Sequence, residues 1–379
     1  NINGTVGQNA SEAFGDQGDY GVANDVNITN NSGNLNITGT IDTEGTQKTT
    51  NIINKGDTLN ITQTAKVNNS GELNITNEGK GGLNIDGSVK TSNSVGGNIV
   101  TDDNGYHGDT TITNKAGTLK INGSVTAENN SAININNSGS GIEINGTVSA
   151  IGTSSNSTTY APVPVGNTVN ITNTNGAVNI NSTAKVNATE DININNTGNG
   201  GVNVKGLVKA DNNVKIDNKN SNIVIGDNTE NDNYIAAGNN IDIVVVDGNI
   251  LNYGVEKTLL NAGGNLNMNV TNGSIGEEVG GGCVGAACTG VGPKENGTRD
   301  FTKSINGNVK GKVTAITTKA NKPDDLVINY AAIDSDMNID RVKADGRVIL
   351  TVDYGKDGNT RYNMVNASTD PSKANVEGK

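Results

Sequence analysis

The sequence predicts an all-β chain wound as a right-handed parallel β-helix, a solenoid with three short strands and about 20–25 residues per coil. Three observations predict it. A three-beat aliphatic repeat recurs along most of the chain. Inside each beat, apolar residues alternate with polar ones. Between beats lie Gly, Asn and Ser, while the prolines (Pro162, Pro164, Pro293, Pro323 and Pro371) all fall outside the beats.

The repeat is read most easily from Asn27-Ile28-Thr29-Asn30, then Leu35-Asn36-Ile37-Thr38-Gly39, then Ile41. It returns as Ile52, Leu59-Asn60-Ile61 and Val67, and again as Ile112-Thr113-Asn114, Leu119-Lys120-Ile121-Asn122-Gly123 and Val125. Later copies run Ile135, Ile142-Glu143-Ile144-Asn145-Gly146, Val148; Ile171, Val178-Asn179-Ile180, Val186; and Ile194, Val202-Asn203-Val204-Lys205-Gly206, Val208. A period of two marks a strand with one buried face. The inward stack is therefore Leu35, Ile37, Leu59, Ile61, Leu119, Ile121, Ile142, Ile144, Val178, Ile180, Val202 and Val204. Asn36, Asn60, Asn84, Asn179 and Asn203 point outward, where amides stacked at strand spacing form a structural ladder. Gly and Asn suit the corners because they tolerate positive φ. A single coil buries too few aliphatics to offset its ordering entropy, so stability must come from stacking. About twelve to fifteen coils at roughly 4.8 Å each would make a rod of roughly 60–70 Å.

Along the chain, residues 1–26 read as one irregular coil with a loop at Gln8–Asp19. The shaft spans 1–272, with corner insertions at 91–111 and 151–168. Beats are clear to Ile223-Val224-Ile225 and looser to Leu266, Met268 and Val270. Residues 273–305 form a Gly/Cys-rich excursion. Residues 306–379 continue the helix, with a separate small β region as the alternative; Leu326-Val327-Ile328 and Val348–Val352 read as strands there. The numbering opens inside a coil, at Asn1-Ile2-Asn3-Gly4-Thr5-Val6, so a segment of a longer chain is expected.

Composition agrees with a thin core. The 379 residues are 32% hydrophobic, with two Phe and no Trp, and the net charge is −12. This acidity argues against nucleic acid as a partner and against a polybasic membrane contact. Ile243-Val244-Val245-Val246 is the longest aliphatic run, far too short to span a bilayer.

The residues with chemical potential are few. Cys283 and Cys288, five apart and flanked by glycine, permit a small disulfide loop, which an oxidising compartment would favour; the alternative is a pair of free thiols. They lack the further His or Cys that a metal site needs. His107, the sole histidine, lies beside Asp102, Asp103 and Asp109 and could act as a base or ligand, though a solvated loop residue is the simpler reading. The acidic pairs Asp102/Asp103, Glu277/Glu278 and Asp324/Asp325 lie in corners or excursions rather than at strand centres. Asn-x-Thr triplets such as Asn27-Ile28-Thr29 arise readily in so Asn/Thr-rich a chain. No catalytic residue, cofactor or metal site is expected.

The repeats resemble those of filamentous haemagglutinin-like bacterial adhesins. Cys283 to Gly292, followed by Arg299-Asp300-Phe301-Thr302-Lys303-Ser304-Ile305, is similar to a segment of the leukotoxin-type filamentous adhesins of Gram-negative bacteria. The resemblance implies a secreted or cell-surface rod, exported through an outer-membrane transporter partner by two-partner secretion, with a host or bacterial surface, glycan included, as its target. The expected function is the structural shaft of a fibrous adhesin, not an enzyme. The rivals are a self-assembling filament, sheath or surface-layer subunit, joined end to end or laterally, and a carbohydrate-active β-helix or phage tailspike.

Overall fold

The computed structural model describes residues 1–8, 25–43, 49–92, 94–95, 98–99, 108–129, 131–152, 167–227, 233–277, 301–318, 326–352, 360–368, 370 and 375–378. Among these, every regular element is a strand and none is a helix. The chain is a parallel β-solenoid with three strands per coil. It divides into two compact units, Asn1–Val178 with Thr183–Asn195, and Asn179–Ser182 with Asn196–Lys379.

In the first unit each beat forms its own parallel sheet. The first beats align as Ile28, Ile52, Ile75, Ile112, Ile135 and Ile171. The second align as Leu35, Leu59, Leu83, Leu119 and Ile142. The third align as Val6, Ile41, Val67, Val89, Val125, Val148 and Val186. Side chains one coil apart are separated by 23 or 24 residues where the repeat is plain and by 36 or 37 where an insertion intervenes. Strand ends reach into the insertions. Thr91 and Thr110 are both buried, with their hydroxyls 2.8 Å apart. Ile151 still belongs to the strand Thr147–Ile151.

Of the three corners in a coil, the first two use glycine differently. Between the first and second beats, Gly33, Gly117 and Gly176 have φ of 65°, 65° and 70°. Here left-handed backbone is the reason for glycine, as expected from the sequence. Between the second and third beats it is not. Gly39, Gly87, Gly123 and Gly146 lie outside the left-handed region, and each would drive a Cβ into the preceding coil's backbone. At Gly123 the obstacle is the carbonyl of Gly87; at Gly146 it is the carbonyl of Gly123. Close coil approach, not φ, selects glycine here. The longer corner Thr62-Gln63-Thr64-Ala65 makes the same connection without glycine, and Ala65 is buried.

The second unit begins with the same scheme. Val202, Ile223 and Ile250 align in one sheet; Val208, Ile235 and Leu260 in the next; Val214, Ile241 and Leu266 in the last. Stacking continues past the Gly/Cys-rich stretch. The strand Ile305–Val309 pairs with Leu260–Ala262, and Val313–Thr318 with Leu266–Thr271. What changes is the cross-section. Ile275 bridges Ile250 on one side and Ile328 on the other, so the first of these sheets runs into the second. The outer face of Val327–Ala332 is then covered too. All six of its residues are buried, and Phe301 and Ile333 pack with Ala331.

Inside this stretch lies Tyr330, 1% exposed, its ring over Gly307 and its hydroxyl without a partner among the described residues. Burial holds its ionisation far above the ordinary range. Below about pH 10 the phenol is neutral folded or unfolded and contributes no pH dependence. Above that, the unfolded chain ionises first and binds fewer protons than the fold, so stability falls by about 1.4 kcal/mol per pH unit. Tyr330→Phe is expected to leave urea stability at pH 7 within about 1 kcal/mol of the parent and to flatten its decline above pH 10. An unchanged alkaline slope would show that Tyr330 does not carry it.

Candidate functional site: the stacked asparagines

The repeated chemistry of this molecule is carboxamide chemistry, arranged in two kinds of column. The inner column was not singled out from the sequence. In the strands Val26–Asn30, Thr49–Asn54, Glu72–Asn77, Thr110–Asn114, Ile133–Asn137 and Val169–Asn173 the last residue is asparagine, two positions beyond an inward isoleucine. It therefore faces inward as well. Asn54, Asn77, Asn114 and Asn173 have no exposed surface. Each Nδ2 donates to Oδ1 of the next asparagine: Asn30 to Asn54 at 2.7 Å, Asn54 to Asn77 at 2.8 Å, Asn77 to Asn114 at 3.0 Å, Asn114 to Asn137 at 2.8 Å and Asn137 to Asn173 at 2.7 Å.

The other N–H of the same group ties down the corner. Asn30, Asn114 and Asn173 donate to the carbonyls of Gly33, Gly117 and Gly176 at 2.9, 3.1 and 3.1 Å. Each is the left-handed glycine of its turn, so the buried amide and the corner geometry are one construction. In the second unit Asn196 donates to Asn218 at 2.8 Å. There the column stops. Asn218 spends its N–H groups on the carbonyls of Asn220 and Ser221 in its own turn, and the following positions are Val245, Val270 and Thr317.

The outward columns include the asparagines expected from the sequence. Asn84 donates to Asn60 at 2.8 Å, Asn60 to Asn36 at 2.7 Å and Asn36 to Asn1 at 3.0 Å. Asn203 donates to Asn179 at 2.7 Å in the second unit. Beyond Asn84 the column changes chemistry: Lys120 occupies the next position and Glu143 the one after, 3.2 Å apart as an ion pair. A second outward column runs through Asn27, Asn51 and Asn74 and, after Thr111, through Asn134, Asn170 and Asn193. Outward charges also pair across coils. Lys115 lies 2.6 Å from Glu78, and its hydrogen bond and charge hold that carboxyl below the usual range. Such exposed pairs contribute little to stability.

The second unit holds a buried amide knot that the repeat gave no reason to expect. Asn252 donates to the carbonyls of Val255, Phe301 and Ser304 at 2.7, 3.1 and 2.9 Å, and its Oδ1 accepts the Val255 N–H at 2.8 Å. Asn306 donates to Val255 O and Phe301 O, and its Oδ1 accepts the Ser304 hydroxyl at 2.5 Å. The N–H of Glu277 reaches Lys303 O at 2.8 Å. The two ends of the Gly/Cys-rich stretch are thus bonded together.

The twelve aliphatics of the expected stack are buried, Leu35 at 5% and the others at 0%. Cys283, Cys288, His107, Asp102, Asp103, Glu278, Asp324 and Asp325 lie outside the described residues. Asp109 is described, and its Oδ1 accepts the Ala132 N–H at 2.8 Å. Among the described residues no group of three or more His, Cys, Asp or Glu could hold a metal ion, and no helix is long and apolar enough to cross a membrane. No family model matches the chain, and neither a curated protein nor a solved structure matches it. Fold and columns together define a class, the parallel β-solenoid with asparagine ladders.

Proposed function

We propose that this chain is a shaft segment of a secreted or cell-surface fibrous bacterial adhesin, projecting binding regions away from the cell and contributing to attachment. The observation that carries the reading is the ladder architecture. Through the first unit, backbone and stacked asparagine side chains bond from coil to coil, which makes a repetitive scaffold. The stretches proposed to bind are 91–111, 151–168 and 273–305, where the sequence leaves the repeat. The resemblance to filamentous haemagglutinin-like adhesins supplies the rest of the proposal: export through an outer-membrane two-partner-secretion transporter, and a host or bacterial surface, with its glycans, as target.

Two measurements test it together. Beads coated with the purified chain should attach to host or bacterial cells more than uncoated beads, and less when residues 93–107, 153–166 and 278–300, which leave the buried Thr91, Thr110, Ile275, Phe301 and Ser304 in place, are replaced by short Gly/Ser linkers. Negative-stain electron microscopy over a concentration series should show discrete particles. Long filaments at neutral pH without attachment would overturn the reading in favour of a structural polymer. Glycan cleavage by the purified chain would overturn it in favour of a carbohydrate-active solenoid.

A further inference from the structure

Alternation along a strand forbids a slip of one residue, because every aliphatic would turn outward. It does not forbid a slip of two. In Thr110–Asn114 the inward residues are Thr110, Ile112 and Asn114, and in Ile133–Asn137 they are Ile133, Ile135 and Asn137. Sliding one strand two places against the other still sets inward side chains against inward side chains. Six successive first-beat strands share this short pattern, so aliphatic burial alone separates the two registers poorly.

The inner column separates them sharply. In register, Asn114 accepts from Asn77, donates to Asn137 and donates to its own corner at Gly117. After a two-residue slip its amide would meet Ile135, and Asn137 would lose its donor. Each stranded buried group costs about 1–3 kcal/mol. The column also has one polarity. Because a corner carbonyl takes one N–H of Nδ2, a flipped amide would set Oδ1 against that carbonyl. At Asn30, Asn77 and Asn114 the side facing the following coil is therefore a donor.

We infer that the buried asparagine column is a register key, a device that selects the in-register pairing of successive coils against the two-residue slip that their aliphatic pattern tolerates. The role is distinct from filling space, which leucine would do as well, and from the outward ladders, whose amides water can satisfy.

Disulfide trapping during refolding reads the register directly. With Cys283 and Cys288 replaced by serine, Thr113→Cys with Asn136→Cys reports the native register, since these outward residues are direct partners. Thr113→Cys with Asn134→Cys reports the slip, because its native separation along the strand exceeds disulfide reach. With the column intact, native-pair crosslinks should exceed slipped-pair crosslinks at least tenfold. With Asn77, Asn114 and Asn137 all changed to leucine, the chain should keep its β-type circular dichroism while that ratio falls at least tenfold. Should the triple variant not fold, Asn114→Leu alone, read the same way, decides. An unchanged ratio in the leucine background would overturn the inference and assign register to the corners.

Discussion

Alanine at Gly146 is expected to destabilise the first unit by about 3 kcal/mol, although it adds one methyl group and leaves φ in an ordinary region. The new Cβ would overlap the carbonyl of Gly123 and lie 2.5 Å from that of Asn122, both in the coil beneath. Neither obstacle is a flexible side chain. Relief requires lifting one coil off another, and Gly146 N–H, bonded to Ile121 O at 3.0 Å, and Thr147 N–H, bonded to Gly123 O at 2.9 Å, resist it. Gly33→Ala is the proper comparison. That residue has φ of 65°, and a Cβ added there would meet nothing within 4 Å, so only left-handed strain applies, about 1 kcal/mol. Urea midpoints, with hydrogen exchange across Thr147–Ile151, measure both. Equal costs would refute the distinction between the two kinds of corner glycine.

Asn252→Ala is expected to cost the second unit about 2–4 kcal/mol and to open the base of the Gly/Cys-rich stretch to protease. The change strands the Val255 N–H and removes donors from the carbonyls of Phe301 and Ser304. Asn306 still holds Phe301 O at 3.2 Å, so the base should loosen rather than unfold. Asn252→Asp sharpens the test. It is isosteric and keeps an acceptor for Val255, but it turns carboxylate oxygens on three carbonyls. Its buried carboxyl would titrate high. The added penalty should therefore be complete above that raised value and fade as pH falls toward the ordinary carboxylate range. Cleavage between Glu277 and Ile305 that stays at the parental rate in both variants would show that the knot does not hold the two ends of that stretch together.

How far these features could be foreseen depends on where their partners lie. Leu35 and Ile37 are inward because strands alternate, a relation contained within three residues. Asn60 over Asn36 follows from the same alternation plus the period. The inner column obeys that rule equally well: Asn30 stands two places after Ile28, as Asn54 does after Ile52. Reading asparagine as an outward or corner residue concealed it. Burying an amide is unfavourable by the measure of a single coil. It becomes acceptable only when the coils above and below supply an acceptor and a donor at strand spacing. The corner glycines mislead for a similar reason. Gly33 answers to its own dihedral angle, whereas Gly123 answers to the carbonyl of Gly87 beneath it.

Alternation, the three-beat period and the scarcity of proline within the beats were enough to establish an all-β solenoid with three strands per coil, because each is a local property repeated in line. Three features belonged to tertiary structure alone: the Asn252–Asn306 knot, the bridge from Ile250 through Ile275 to Ile328, and the end of the inner column at Asn218. In each, the deciding neighbour is a backbone group or an inward side chain from another coil, brought near by stacking. Periodicity says that coils stack, but only the stacked coils determine which buried amide finds a partner.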